Sequence, residues 1–429
     1  MSNWFHRNPL KATSRVKFDL GKGATNISAR GICRDLADKR AELLKLICDP
    51  AVDPKAVLTR LQVYISLLAG FVTPPEGSGE SESKLRSTVP FKWTDSVLPK
   101  HTQPLMVYDA QFEVCSMLFS VALWLTKHAA KVASSEEVSP EEAVDVYRSL
   151  RQAAGIFVLL KDQQVSKLST PPAEGHDLYC DALETYINQC IAEAQEVTIG
   201  RAIELKHDPS LIAGLAKATS ESYKKAALAL SASNSKVVGK WLKYLQFKQF
   251  CYEACMEIYF AEELLKADKV GPAIAVMGAA DIAYKKAVDA GKHYGSADGI
   301  GLSSKMAEHC FFRRLGQLVK TTRDKLEREN GLIYHQKVPV TAPDCDLAAK
   351  FGLAEPLDPE IDFTPCEQWK EGYKGFDLDK ILESVASRNK DKNKSKEKLD
   401  RDEPVETPAE KPIFSTDKDP KNQSGCVIS

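Results

Sequence analysis

The sequence predicts an all-α protein built from antiparallel helix pairs, and three observations support this. Long segments repeat apolar residues at three- and four-residue spacing, as one face of an α-helix requires. Many of these segments begin at helix-capping residues and are joined by short turns rich in Gly, Pro and Asp. Strand-like sequence is confined to residues 87–97, STVPFKWTDSV, which predicts a small strand element in the N-terminal part.

Three helix starts carry local capping signals. Asp-Pro pairs stand at 53–54 and at 208–209, and each places an N-cap aspartate before a proline at the first helical position. Ser139 and Glu142 form a capping box, with Pro140 opening the helix. These positions predict helices that begin near residues 54, 140 and 209.

Residues 240–330 form the most strongly helical part of the chain. Aromatic and small residues alternate there at helical spacing, which is typical of tetratricopeptide-like helix pairs. A regular 34-residue repeat is not evident, so an irregular helical bundle is an equally good interpretation of the pattern.

The composition changes after about residue 340. Residues 338–369 are rich in Pro and Asp but keep the apolar residues Leu347, Phe351, Leu353 and Trp369. We interpret this stretch as an extended arm anchored along the helices by those side chains. Residues 386–425 are polar and of low complexity, which predicts a disordered tail.

The overall composition excludes several classes of function. The 43% hydrophobic and 27% charged content is that of an ordinary soluble protein, and the formal net charge of −1 gives no attraction for nucleic acid. The 11 cysteines show no framework spacing and are interpreted as reduced thiols of a cytosolic or nuclear protein. The longest apolar runs, 63–72 and 117–125, are shorter than a membrane span, and no signal peptide opens the chain.

No catalytic or metal-binding motif emerges from the sequence. The glycine-rich stretch 295–301 follows a helix, so we interpret it as a turn and not as a nucleotide loop. Cys251 and Cys255 lie in an apolar helix and are expected to be core residues. His309 and Cys310 are adjacent on a helix and point about 100° apart, so they do not pair. We expect a non-enzymatic protein without metal or cofactor.

The chain ends in Cys426-Val427-Ile428-Ser429, which has the form of a C-a-a-X prenylation box (426–429). A terminal serine favours a farnesyl group, which would be attached to the thiol of Cys426. The expected enzymes are a prenyltransferase and the proteases and methyltransferases that process such boxes. The alternative is an unmodified cysteine that matches the motif by chance.

A basic block lies well before this cysteine. Residues 388–401 contain seven basic and three acidic residues, a net charge of +4. One lipid chain gives only reversible membrane binding, so a second signal is needed for stable attachment. Either this block or a partner protein supplies that signal, and a solvated charge run without membrane contact remains the alternative.

Four segments together resemble the BRO domain family, known from Alix. They are FKWTD (91–95), AGIF (154–157), AQEV (194–197) and LIYHQKVP (332–339), and the C-a-a-X box is that of the prenylated members. The resemblance implies an elongated, boomerang-shaped BRO domain over residues 1–385 with a tetratricopeptide-like centre. It also implies binding of the C-terminal amphipathic helix of ESCRT-III subunits, the charged multivesicular body proteins, in a groove.

The resemblance also implies which residues line that groove. The groove follows the AQEV segment, and its lining consists of Leu211 and Leu215 on one helix face, with Arg148 as a basic residue at the rim. Thr198 stands where Alix-like members have a phenylalanine, so affinity or subunit preference is expected to differ. Ile199 and Ile212 lie beside these residues, and whether Ile212 belongs to the groove or to the core stays open.

The resulting hypothesis is a prenylated adaptor that binds ESCRT-III during membrane remodelling or repair. Its expected location is the cytoplasmic face of endosomal or nuclear-envelope membranes, with a soluble cytosolic pool and no nucleic-acid partner. Two alternatives remain: a prenylated helical scaffold with a non-ESCRT client, and a lipid-anchored enzyme.

Overall fold

The computed structural model describes residues 5–18, 20, 23–76, 79–98, 102–135, 138–232, 236–297, 299, 310–383 and 405–413. Most of this described chain is α-helical, which confirms the predicted fold class. Its α-helices are α1 (Ile27–Leu46), α2 (Pro54–Val72), α3 (Ala110–Ala133), α4 (Pro140–Leu159), α5 (Cys180–Glu204), α6 (Pro209–Ala232), α7 (Gly239–Lys266), α8 (Val270–Ser296), α9 (Cys310–Glu329) and α10 (Gln368–Gly372).

Local capping explains where several helices begin. Asp53 accepts a hydrogen bond from the amide of Ala56 at the start of α2, as its Asp-Pro sequence predicts. At α4, the Ser139 hydroxyl and the Glu142 carboxylate form the predicted capping box. Both prolines occupy the first helical turn, where a missing N–H breaks no helical hydrogen bond. The predicted starts of these two helices are confirmed.

Helices α3 to α8 form the body of the fold as a succession of packed neighbours. Each helix contacts the next one along the chain, and α9 adds to α7 and α8. The connections 205–208 and 267–269 are too short for anything but antiparallel pairs. Helices α3 to α8 bury both aromatic and alanine side chains. The helix-pair architecture predicted from the sequence is confirmed.

The predicted strand element supplies one strand of a two-stranded antiparallel sheet, and the second strand lies outside the predicted residues 87–97. The sheet consists of β1 (Phe91–Trp93) and β2 (Leu105–Val107), with Lys92 opposite Met106. Thr13 of the N-terminal segment pairs with Trp93 on the other side of β1. The sheet therefore ties the N-terminal segment to the helices.

A buried ionic cluster explains why FKWTD carries a tryptophan. The Trp93 indole donates to Glu113 over 2.6 Å, and the Tyr64 hydroxyl donates to the same carboxylate over 2.9 Å. Arg40 completes the cluster with a 2.8 Å ion pair to Glu113 and a 2.7 Å hydrogen bond to Thr13 Oγ1. Because every group is deeply buried, the cluster holds α1, α2, α3 and the sheet in one arrangement.

Helix α2 differs from the sequence expectation that no apolar run reaches the length of a span. By length and composition alone, it is long and apolar enough to cross a membrane. Half of that stretch is buried within the fold, however, and α2 packs against α1 and α3. A single helix of this kind is weak evidence for a membrane span, and we interpret it as a core helix.

After α9 the chain turns back as an extended arm, residues 335–367, that lies along the helices. The arm ends at α10, where Trp369 is fully buried against Gly70 and donates its indole N–H to the Leu67 carbonyl over 2.9 Å. The extended arm and the anchoring role of Trp369 are as predicted. Leu347 is half-buried and also packs on the core.

The tail differs from its predicted disorder at residues 405–413. This segment lies in contact with the domain: Glu406 pairs with Thr13, and Ile413 is only 9% exposed. The prediction of a disordered tail is therefore wrong for these nine residues. The basic block 388–401, the box 426–429, His309 and residues 298, 300 and 301 of the glycine-rich stretch lie outside the described residues.

Candidate functional site

The candidate site is the face of the helices that the arm crosses, because the arm covers the predicted groove. The Gln195 side chain of α5 makes two hydrogen bonds to the arm backbone. It donates to the Gly352 carbonyl over 2.8 Å and accepts from the Ala354 amide over 2.7 Å. Gln62 of α2 binds the amide and carbonyl of Asp362 in the same way. The side-chain amides of Gln195 and Gln62 thus satisfy backbone N–H and C=O groups of the arm, as a neighbouring strand would in a sheet.

Glycines on α4, α6 and α8 allow the arm to lie directly on the helix backbones. An added Cβ on Gly155 would stand 1.7 Å from the Leu357 carbonyl oxygen. On Gly214 it would stand 2.5 Å from the Ala349 nitrogen, and on Gly271 it would stand 2.4 Å from the Lys337 oxygen. The arm is therefore an integral layer of the fold, seated at residues without side chains.

Three of the predicted groove residues are core residues beneath this layer. Ile199, Ile212 and Leu215 are each 2% exposed or less. Leu215 and the methyl group of Thr198 lie in van der Waals range of the position where Gly352 would carry a Cβ. Leu215, which was predicted to line the groove, is thus buried beneath the arm, and Ile212 belongs to the core.

Thr198 and Leu211 remain half-buried at the surface. Leu211 lies one helical turn before Leu215 on the same face of α6, and it is half-buried whereas Leu215 is buried. Phe351 and Leu353 flank Gly352 on the arm and are 65% and 48% exposed, so they point away from the helices. We group the four partly exposed residues where the arm crosses α5 and α6 as the arm-side patch: Thr198, Leu211, Phe351 and Leu353.

Sequence reasoning placed Phe351 and Leu353 in the wrong role. It took both as anchors on the core, whereas the buried residue of this stretch is the small Ala354 beside them. The available sequence signal is Gly352 itself, since glycine readily adopts the positive φ of 81° that the backbone has there.

Arg148 is exposed and lies on α4, at a cleft between α2 and α4. The arm residues at this cleft are 357–361, beyond Gly352 along the chain. The structure therefore places Arg148 along the same arm as the patch but does not bring it into the group around Thr198 and Gly352.

The rim on the α7 side of the arm is acidic. Partial burial, together with the nearby carboxylates of Glu253 and Asp344, raises the pKa of Glu257 to about 7. Lys217 of α6 lies close by and donates to the Cys345 carbonyl over 2.7 Å. A partner with basic residues would complement this rim above neutral pH.

Replacing Glu257 by Gln should stabilise the protein at pH 8 by on the order of 1 kcal/mol, after allowance for solvent screening. The pKa of Glu257 is raised in the folded state, so between about pH 4.5 and 7 the folded state keeps a proton that the unfolded state releases. The stability contributed by this group is therefore lost as the pH rises through this range. Urea unfolding at pH 5 and pH 8 measures the effect. The same loss between these pH values in wild type and variant would contradict it.

Metal-ligating groups do not cluster within the described part of the chain: no set of three or more His, Cys, Asp or Glu side chains is placed to hold an ion. Cys251 and Cys255 are buried on α7, as predicted, and burial raises the pKa of both thiols. These side chains therefore pack in the core as neutral thiols.

The architecture that identifies the class of protein is a helical domain whose own extended arm covers one face of the helices. The BRO1-like domain family matches residues 80–374, and the chain belongs to this family. The resemblance drawn from the four sequence segments is thereby confirmed.

Two relatives illustrate how far the similarity extends. The chain is 46% identical to the BRO1 domain-containing protein BROX of Homo sapiens over 380 residues, which cover 89% of this chain and 92% of that protein. It is 42% identical to the BROX protein of Danio rerio over 428 residues, or 100% of both chains. The second alignment includes the C-terminal tail.

Solved structures show the same fold at low sequence identity. The structure described as "ALIX BRO1 CHMP4C complex" has a TM-score of 0.65 and 19% identity, and the match covers 84% of this chain and 98% of that one. A second, described as "Structure basis for endosomal targeting by the Bro1 domain", has a TM-score of 0.58 and 20% identity, over 90% and 100% of the two chains.

Proposed function

We propose that this protein is a prenylated adaptor that binds the C-terminal amphipathic helix of ESCRT-III subunits at membranes. The observation that carries the proposal is the arm-side patch, where two large apolar side chains are exposed on the arm that crosses α6, the helix of Leu211, in a BRO1-family fold. The complex named above joins the ALIX BRO1 domain to CHMP4C, which supports a partner of this kind. The proposal assigns no catalytic step and no cofactor.

The chemistry of the patch suits one face of an amphipathic helix. Phe351, Leu353 and Leu211 are apolar and partly exposed, whereas the helices beneath them are already packed. Burying a large apolar side chain fully contributes about 1.5–3 kcal/mol, and fixing a helix from solution costs several kcal/mol. These opposing contributions predict a micromolar dissociation constant.

Leu211→Asp should weaken binding of ESCRT-III helices at least about tenfold, because it removes an apolar contact and places a charge in the interface. Fluorescence anisotropy of labelled C-terminal helices, titrated with the full chain, measures this. Phe351→Asp should behave in the same way. Leu215→Asp is unsuitable because Leu215 is buried and a charge there would destabilise the fold.

Val340→Asp is the matched control, since Val340 lies on the same arm and its side chain is fully exposed. Its affinity should equal that of the wild type. Unchanged binding by Leu211→Asp would contradict the patch as the site. Absence of binding to every ESCRT-III helix would favour a scaffold with another client.

We place the protein on the cytoplasmic face of membranes, endosomal or nuclear-envelope, through a farnesyl group on Cys426, with a soluble pool. The support is the C-a-a-X form of the last four residues. One lipid binds membranes reversibly, and confinement of both partners to one surface raises their effective concentration. The lipid thus compensates for weak binding by the helix.

Cys426→Ser should abolish membrane association in cells while leaving helix binding in solution unchanged. Mass spectrometry of the purified C-terminal peptide measures the farnesyl mass, and fractionation measures membrane association. A wild-type peptide without added mass would refute the lipid anchor and leave the helix-binding proposal standing.

A further inference from the structure

Residues 405–413 lie in an ordered segment that sequence composition does not explain, and we call this segment the latch. Its first contact is a strand pairing: the Glu406 amide donates to the Thr13 carbonyl over 3.1 Å. Thr13 also pairs with Trp93 of β1, so two single bridges connect the latch to the small sheet through the N-terminal segment. The direction is antiparallel, because Glu410 then contacts Leu10, three residues before Thr13.

Glu410 is the centre of the latch. One carboxylate oxygen accepts from the Leu10 amide over 2.8 Å, and the other accepts from the Lys127 ammonium over 2.5 Å. The Lys127 side chain is only 7% exposed, so the Glu410 carboxylate neutralises an ammonium group of α3 that is largely shielded from water. A charge-assisted bond in such a place is stronger than an exposed ion pair.

The latch makes a second set of contacts at the turn between α1 and α2. The Lys411 amide donates to the Cys48 carbonyl over 2.8 Å, and its ammonium pairs with Asp49 over 2.5 Å. The Lys411 ammonium in turn lowers the pKa of Asp49. Ile413 then packs into the hydrophobic core. Backbone pairing, a half-buried ion pair and an apolar anchor together fix the segment.

We propose that the latch holds the C-terminal end of the chain at one edge of the domain and thereby makes that edge face the membrane. The edge consists of the N-terminal segment from Leu10 to Thr13, the turn at Cys48 and Asp49, and Lys127 of α3. Docking of the latch stands on its contacts alone. The membrane-facing role rests additionally on the proposed lipid at Cys426.

The length of the chain gives the latch its effect. Cys426 lies 13 residues beyond Ile413, and a fully extended chain of that length spans at most about 45 Å. Measured from Glu383, where the preceding described part ends, the same cysteine lies 43 residues away, and the limit would be about 150 Å. The latch therefore shortens the maximum tether roughly threefold and fixes its origin.

Hydrogen exchange of the full chain carrying Cys426→Ser tests docking without lipid. The amides of Glu406 and Lys411 should exchange at least about tenfold more slowly than in a synthetic peptide of residues 400–418, because both donate to the domain. Glu410→Ala should remove most of this protection. Glu406→Ala is the control, since its side chain is exposed and its backbone bond remains.

The farnesylated full chain on phosphatidylcholine vesicles tests the orientation. Residues 45–52 of the turn between α1 and α2 should gain protection on the vesicles, and Glu410→Ala should lose that gain while binding the same amount of lipid. Equal exchange of the latch in the chain and in the free peptide would overturn the proposal, as would vesicle protection confined to another edge. A protected latch without vesicle binding would contradict the lipid anchor alone and support the docking.

Discussion

Gly155→Ala should destabilise the protein by about 2–5 kcal/mol, although alanine is the better helix former. The new Cβ would stand 1.7 Å from the Leu357 carbonyl oxygen, so the arm would have to leave its seat on α4. That shift would strain two hydrogen bonds, from the Leu357 amide to the Arg151 carbonyl and from the Arg151 guanidinium to the Glu355 carbonyl. Overpacking and weakened hydrogen bonds each cost about 1–3 kcal/mol, which exceeds the helix-propensity gain of about 1 kcal/mol.

Gly31→Ala provides the matched control on α1. A Cβ at Gly31 would meet no atom within 4 Å, so the same substitution should stabilise the protein by about 0.5–1 kcal/mol. Urea unfolding measures both variants, and hydrogen exchange of residues 353–358 shows whether the arm has loosened. Equal stability of the two variants would mean that the arm is not seated on α4.

Arg40→Met should cost about 3–5 kcal/mol, because it leaves the buried carboxylate of Glu113 without its positive partner. Trp93 and Tyr64 would still donate to that carboxylate, but neither carries a charge. Methionine keeps much of the side-chain volume, so the loss reports the charge and its hydrogen bonds more than a cavity. Urea unfolding measures the change in the free energy of unfolding.

Lys39→Met, one residue earlier on α1, is the control for this cluster. Lys39 pairs with Glu42 at the surface, with side chains 32% and 45% exposed, so its removal should cost less than about 0.5 kcal/mol. A loss of less than about 1 kcal/mol in Arg40→Met would show that water reaches Glu113 and that the cluster does not hold the sheet to the helices.

The sequence predicted the features that depend on near neighbours. Helix starts at Asp53 and Ser139 follow from capping residues within three or four positions, and the structure confirms both. Strand β1 of the small sheet was predicted from β-branched and aromatic residues in one short stretch, whereas its partner β2 was not. Membership of the BRO1 family followed from several short segments in order, each weak by itself.

The candidate site could be predicted only in part, because it depends on pairs far apart in the chain. Leu215 is buried under Gly352, 137 positions later, and nothing near Leu215 in the sequence indicates this contact. The latch was missed for the same reason: Glu410 and Lys127 are separated by 283 positions. A polar composition argues for disorder only where no distant partner compensates it.

Site-specific photocrosslinking tests the central claim most directly, since it asks which residues touch the partner helix. A benzophenone side chain would replace Leu211, Leu353 or, as a control on the same arm, Val340, and each full-length variant would be irradiated with an ESCRT-III C-terminal helix. Our account predicts crosslinks from positions 211 and 353 to the apolar face of the helix and none from position 340. Saturable helix binding without a crosslink at either patch position would contradict it.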